Sequence, residues 1–169
     1  MHTATQSESE GKTEVHELAP GEYQWLRPSR FSAAWDLIHN DNKLITLSSP
    51  KSFGRMVTFS AGRENYTIKK GGVRHPGGDL RAMSAEAPLI ISHLEDALTS
   101  TFIEGEETYI LKRKEKTTEW TLIQAERSVL QVIRDTSGKL PWGSATVLET
   151  ISLPLMAFVW FTVFSDEVQ

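Results

Sequence analysis

The sequence predicts a mainly β protein: an antiparallel closed barrel of about twelve strands around a central hydrophobic C-terminal α-helix. Three observations predict it. Residues 151–164 read ISLPLMAFVWFTVF, with no charge before Asp166, and on a 3.6-residue wheel they leave no polar stripe. Such a helix must be enclosed. Ahead of it the chain breaks into short β-type runs separated by turn residues, at barrel or sandwich spacing. Eight strands leave an interior filled by side chains and sixteen leave a channel. About twelve therefore enclose a space close to the ~10–12 Å diameter of a helix with its side chains.

Taken in order, residues 1–21 form a polar tail of Ser, Thr, Glu and Gln with few large apolar groups, too little to offset its ordering entropy. The domain is expected over residues 22–165. Its strand candidates are YQWLR (23–27), RFSAAWDLI (30–38), KLITLS (43–48), RMVTFSA (55–61), ENYTIKK (64–70) and DLRAMS (79–84). LIISHL (89–94), ALTSTFI (97–103), ETYILKRKEK (107–116), EWTLIQA (119–125), SVLQVIRD (128–135) and WGSATVL (142–148) complete them. His39, Asn40, Asp41 and Asn42 give a turn signal. The Gly/Pro run at 71–78 gives a long loop. Trp35-Asp-Leu-Ile followed by Leu44-Ile-Thr-Leu is echoed by Trp120-Thr-Leu-Ile followed by Val129-Leu-Gln-Val-Ile. Tyr66-Thr-Ile with Leu80-Arg-Ala-Met is a looser third copy of the same hairpin.

The helix is expected over about 152–165, capped by Ser152 with Pro154 in the first turn, where proline costs no hydrogen bond. At about 1.5 Å per residue it is short of the ~30 Å hydrocarbon core of a bilayer. Protein enclosure is thus favoured over lipid.

Composition excludes several classes of function. The chain has 169 residues, net charge −4 and no cysteine, so bulk nucleic-acid binding, disulfides and thiol catalysis are not expected. The N-terminus has no basic region followed by an apolar core. Cytoplasm is the expected compartment, with peripheral association at a membrane as its extension. His2, His16, His39, His75 and His93 lack metal-ligand spacing, and no nucleophile elbow or distinct carboxylate pair is present. No catalytic residue, metal or cofactor is expected.

The hairpin patterns at 35–47 and 120–133, the strand ETYILKRKE and the terminal SLPLMAFVWFTVF together resemble the tubby C-terminal-domain-like superfamily, with its LURP-one-related and scramblase-like members. The resemblance covers about residues 23–164 and points to small bacterial tubby-like proteins. It implies a barrel around a buried C-terminal helix and a non-catalytic module that binds anionic phospholipid headgroups or acts as a membrane-proximal adaptor. The proline-rich N-terminus and cysteine-rich palmitoylation segment of scramblases are absent.

Two groups of residues are candidate ligand contacts. Lys112, Lys114 and Lys116 recur every second residue, and on a strand they form a positive ridge with a repeat of roughly 6.8 Å. The alternative is a charge-blocked, solvated strand. Lys69 and Lys70 precede the glycine-rich loop, which holds Arg74 and His75 and offers an anion cradle through its backbone N–H groups. Two further readings stay open: a protein-interaction scaffold without lipid affinity, and a membrane protein anchored by its C-terminal helix.

Overall fold

The structure is a computed structural model that describes residues 16–28, 34–49, 56–71, 77–135 and 142–166. Twelve strands form a closed barrel: β2 (Gly21–Leu26), β3 (Ala34–His39), β4 (Asn42–Ser48), β5 (Met56–Ala61), β6 (Glu64–Lys70), β7 (Gly77–Ala82), β8 (Ile90–Asp96), β9 (Thr99–Glu104), β10 (Glu107–Arg113), β11 (Glu119–Gln124), β12 (Arg127–Asp135) and β13 (Trp142–Val147). Each pairs antiparallel with the next in sequence, and β13 closes on β2 through Ala145 opposite Tyr23. A two-residue strand, β1 (Glu17–Leu18), pairs with β14 (Ile151–Ser152) outside the barrel sheet. The helix α1 spans Leu153–Asp166.

Side-chain alternation decides what lies inside. On β2 Tyr23 and Trp25 are buried while Glu22 and Gln24 are exposed, the period-two pattern of a half-buried strand. Tyr66 and Ile68 on β6, Tyr109 and Leu111 on β10, and Trp120 and Leu122 on β11 repeat it. Helix residues 153–163 are all buried. The Trp160 ring stacks on Trp25 of β2 at 5.5 Å and meets Trp35 of β3 edge-on at 5.3 Å. Phe158 meets Phe102 of β9 at 5.1 Å. Since β9 lies across the barrel from β2 and β3, the helix fills the lumen as expected. No helix among the described residues is long and apolar enough to cross a membrane.

The barrel satisfies the helix ends. Leu155 N–H donates to Ser152 Oγ at 3.1 Å, so Ser152 is the N-cap. Leu153 N–H donates to His16 O at 2.8 Å, and Pro154 has no N–H to satisfy. α1 carries no basic residue in its last turn. Arg134 of β12 supplies the cap instead, donating from Nη1 to Val163 O at 2.8 Å and Phe164 O at 3.1 Å.

Two expectations change in detail. Residues 1–15 of the tail lie outside the described residues, but Glu17–Leu18 within the expected tail form β1, with Leu18 buried. Structure therefore begins ahead of the expected boundary. Gly77 and Gly78, read as loop, are ladder residues of β7, which ends at Ala82. A Cβ on Gly77 would stand 2.2 Å from Ser92 O, and one on Gly78 2.3 Å from Lys69 O. The strands approach there only because no side chain intervenes.

The paired echo is a geometric repeat. In β3–β4 the register shifts after Leu37 opposite Ile45, and in β11–β12 after Leu122 opposite Leu130. Both turns use two left-handed residues, Asn40 (φ 51°) and Asp41 (φ 65°) in one, Ala125 (φ 49°) and Glu126 (φ 66°) in the other. The looser third copy is no repeat. Its strands β6 and β7 connect at the opposite end of the barrel.

Candidate functional site: one end of the barrel

In an up-and-down barrel, alternate strands finish at the same end. β6 finishes at Lys69 and Lys70, β10 at Lys112 and Arg113, β12 at Arg134 and Asp135. Lys69 and Lys70 therefore share a rim with Lys112, separated by β7, β8 and β9. Four strand steps are roughly 19 Å along the wall. Arg74 lies outside the described residues.

The three-lysine ridge does not form as a strand face. β10 ends at Arg113, where Lys114 N–H donates to Glu119 O at 2.9 Å and Thr117 N–H donates to Lys114 O at 3.1 Å. Lys116 takes a left-handed conformation (φ 63°). The physical reason is a tight turn into β11, which ends the period-two alternation. Lys112 alone projects from the strand, beside Ile110, while Lys114 and Lys116 crown the turn. All three are exposed.

Sequence reasoning missed a second set. Continuing the inward parity of β2, β10 and β12 by one step gives Arg27, Arg113 and Arg134, each the next inward position after an apolar pair. Each covers an aromatic ring: Arg27 over Trp35 at 5.9 Å, Arg113 over Trp120 at 5.1 Å, Arg134 over Phe164 at 5.9 Å. Parity carried past the last apolar residue was the signal that finds them.

Two open clefts lie on this end. One, of about 700 Å³, is lined by Lys69, Lys70, Gly71, Gly77, His93 and Glu95 among others. The other, of about 600 Å³, is lined by Arg113, Lys116, Thr117, Thr118, Glu119 and Ile133. Several acidic side chains here are engaged. Asp79 pairs with Arg81 at 3.2 Å, Glu95 accepts from Thr101 at 3.1 Å, and Asp96 accepts from Leu98 N–H at 2.8 Å. Lys69, Lys112, Lys114 and Lys116 have no ion-pair partner among the described residues.

The opposite end is acidic. The turns between β9 and β10 and between β11 and β12 place Glu104, Glu106, Glu107 and Glu126 there, with Glu149 nearby and paired to Arg127 at 3.3 Å. Burial pushes the Glu104 carboxyl above its ordinary value, a hydrogen bond from Ser152 Oγ (2.7 Å) opposes that, and Glu107 adds to it. Comparison with family models, curated proteins and solved structures finds no match to this chain.

Proposed function

We propose that the chain is a non-catalytic module that docks on anionic phospholipid surfaces through the Lys69–Lys70 and Lys112–Lys116 end of the barrel. The observation that carries this is the convergence of two lysine groups, distant in sequence, on one rim, with the excess of acidic residues at the other. Lys69, Lys112, Lys114 and Lys116, spread over roughly 19 Å, suit a surface of headgroups better than one small anion. The tubby-like resemblance of the sequence supports the same reading.

The test is flotation of the full chain with phosphatidylcholine vesicles, with and without phosphatidylserine, at low and high salt. Each lysine near such a surface contributes about 1 kcal/mol. Binding is expected only with the anionic lipid and only at low salt, and replacing Lys69, Lys112, Lys114 and Lys116 by Glu abolishes it. Absence of flotation by folded protein at low salt, or flotation indifferent to salt, overturns the proposal.

A further inference from the structure

We infer that Leu94 and Leu98, at the turn between β8 and β9, form an apolar prong that enters the interface of a bilayer when the lysine rim docks, an inference that rests on the proposed lipid docking. On each strand that finishes at this end, one inward position follows the buried pair. On β2, β6, β10 and β12 that position holds Arg27, Lys70, Arg113 and Arg134, and on β4 it falls on Ser49. On β8, where Ile90 and Ser92 are the buried pair, it holds Leu94, exposed at 43%. Leu98, four residues further on in the turn, is exposed at 36%. The ladder of β8 with β9 shifts register between Leu94 and Asp96, an irregularity of the kind that re-aims side chains at a barrel rim.

Cations bracket the prong in space. Leu94 lines the same cleft as Lys69 and Lys70, and Leu98 O accepts from Arg113 N–H at 2.8 Å, next to Lys112 and Lys114 in the chain. Lys69, Lys70, Lys112, Arg113, Lys114 and Lys116 outnumber the acidic residues of this stretch of rim, Glu95, Asp96, Glu115 and Glu119. Two of those acids belong to the prong itself. Glu95 accepts from Thr101 Oγ1 at 3.1 Å, and Thr101 stands opposite His93, so that carboxylate is drawn down the wall from the tip. Asp96 accepts from Leu98 N–H at 2.8 Å, which closes the turn and holds the leucine in place. Exposed apolar side chains set among cations suit the interface of an anionic membrane, where charge draws the surface up and the apolar groups leave water. Two leucines carry far less apolar surface than the single acyl chain that gives only marginal binding. They therefore strengthen docking and cannot replace the lysines.

The chain has no cysteine, so Leu98→Cys carries an environment-sensitive fluorophore at one place only. With vesicles of phosphatidylcholine and phosphatidylserine at low salt, its emission is expected to shift to the blue and to be quenched by a nitroxide on the lipid acyl chain. The same label at Ile103→Cys, on the outer wall of β9, stays in water. Leu94→Ser with Leu98→Ser weakens flotation about tenfold at an unchanged thermal midpoint, since both side chains are exposed. Flotation with a label that neither shifts nor is quenched, or flotation untouched by the serine pair, overturns the inference and leaves lipid docking standing. Absence of flotation by the folded wild-type chain overturns both. A blue shift that follows protein concentration without vesicles assigns the leucines to a second copy and overturns the inference as well.

Discussion

Gly143 is the point on β13 where the wall yields to the plug. A Cβ there would stand 2.5 Å from two atoms of the Trp160 ring and 2.8 Å from Ile133 O. Neither the ring, stacked on Trp25 and wedged by Trp35, nor the backbone oxygen can retreat far. Gly143→Ala is therefore expected to cost about 1–3 kcal/mol by overpacking, read as a lower urea midpoint at constant slope. Glu104 makes a second residue-scale prediction. Its folded pKa is raised, chiefly by burial, so between the ordinary value near 4.5 and that higher value the folded chain holds more protons than the unfolded one. Stability from this group is present at low pH and falls as pH rises through that window. Glu104→Gln keeps an acceptor for Ser152 and is expected to flatten that fall, leaving the variant more stable than wild type at pH 7. Thermal melts from pH 4 to 8 check it. Trp160 was legible in the sequence as buried. Its Gly143 partner was not, because close approach between residues distant along the chain leaves no periodic trace.

At the scale of elements, the β3–β4 and β11–β12 hairpins solve the same turn with different residues. Asn40 and Asp41 tolerate the left-handed conformation, whereas Ala125 and Glu126 pay for it. Ala125→Asn with Glu126→Gly is expected to raise stability by about 1–2 kcal/mol, measured by chemical denaturation. The strand order and most boundaries were legible because barrel strands alternate between core and solvent, and the apolar residues on β2, β6, β10 and β11 show it. The lysine ridge misled for the same reason. Period two at Lys112, Lys114 and Lys116 looks like a continuing strand, but hydrogen bonds from Thr117 N–H to Lys114 O and from Lys114 N–H to Glu119 O turn the chain. The α1 cap was half legible. Ser152 stands in the sequence as an N-cap, while the C-terminal cap comes from Arg134 on another element.

For the whole molecule, topology converts a chain of net charge −4 into a barrel with lysines gathered at one end and glutamates at the other. Net charge argues against an anionic partner; its distribution argues for one, since exposed charges act within a Debye length of about 10 Å at 0.1 M salt. Lys69 on β6 and Lys112 on β10 stand at the two sides of the rim proposed for lipid. Lys69→Glu should accordingly weaken flotation on anionic vesicles at low salt without lowering the thermal midpoint, since the side chain is exposed. By itself the sequence determined the strand count, the enclosed helix and its N-cap, because each follows from local periodicity or a neighbouring residue. Only the tertiary structure decided which charged residues share an end, which arginines cover the aromatic rings and which leucines stand beside them at the rim. Those depend on strand direction and register, which bring together residues that the chain keeps far apart.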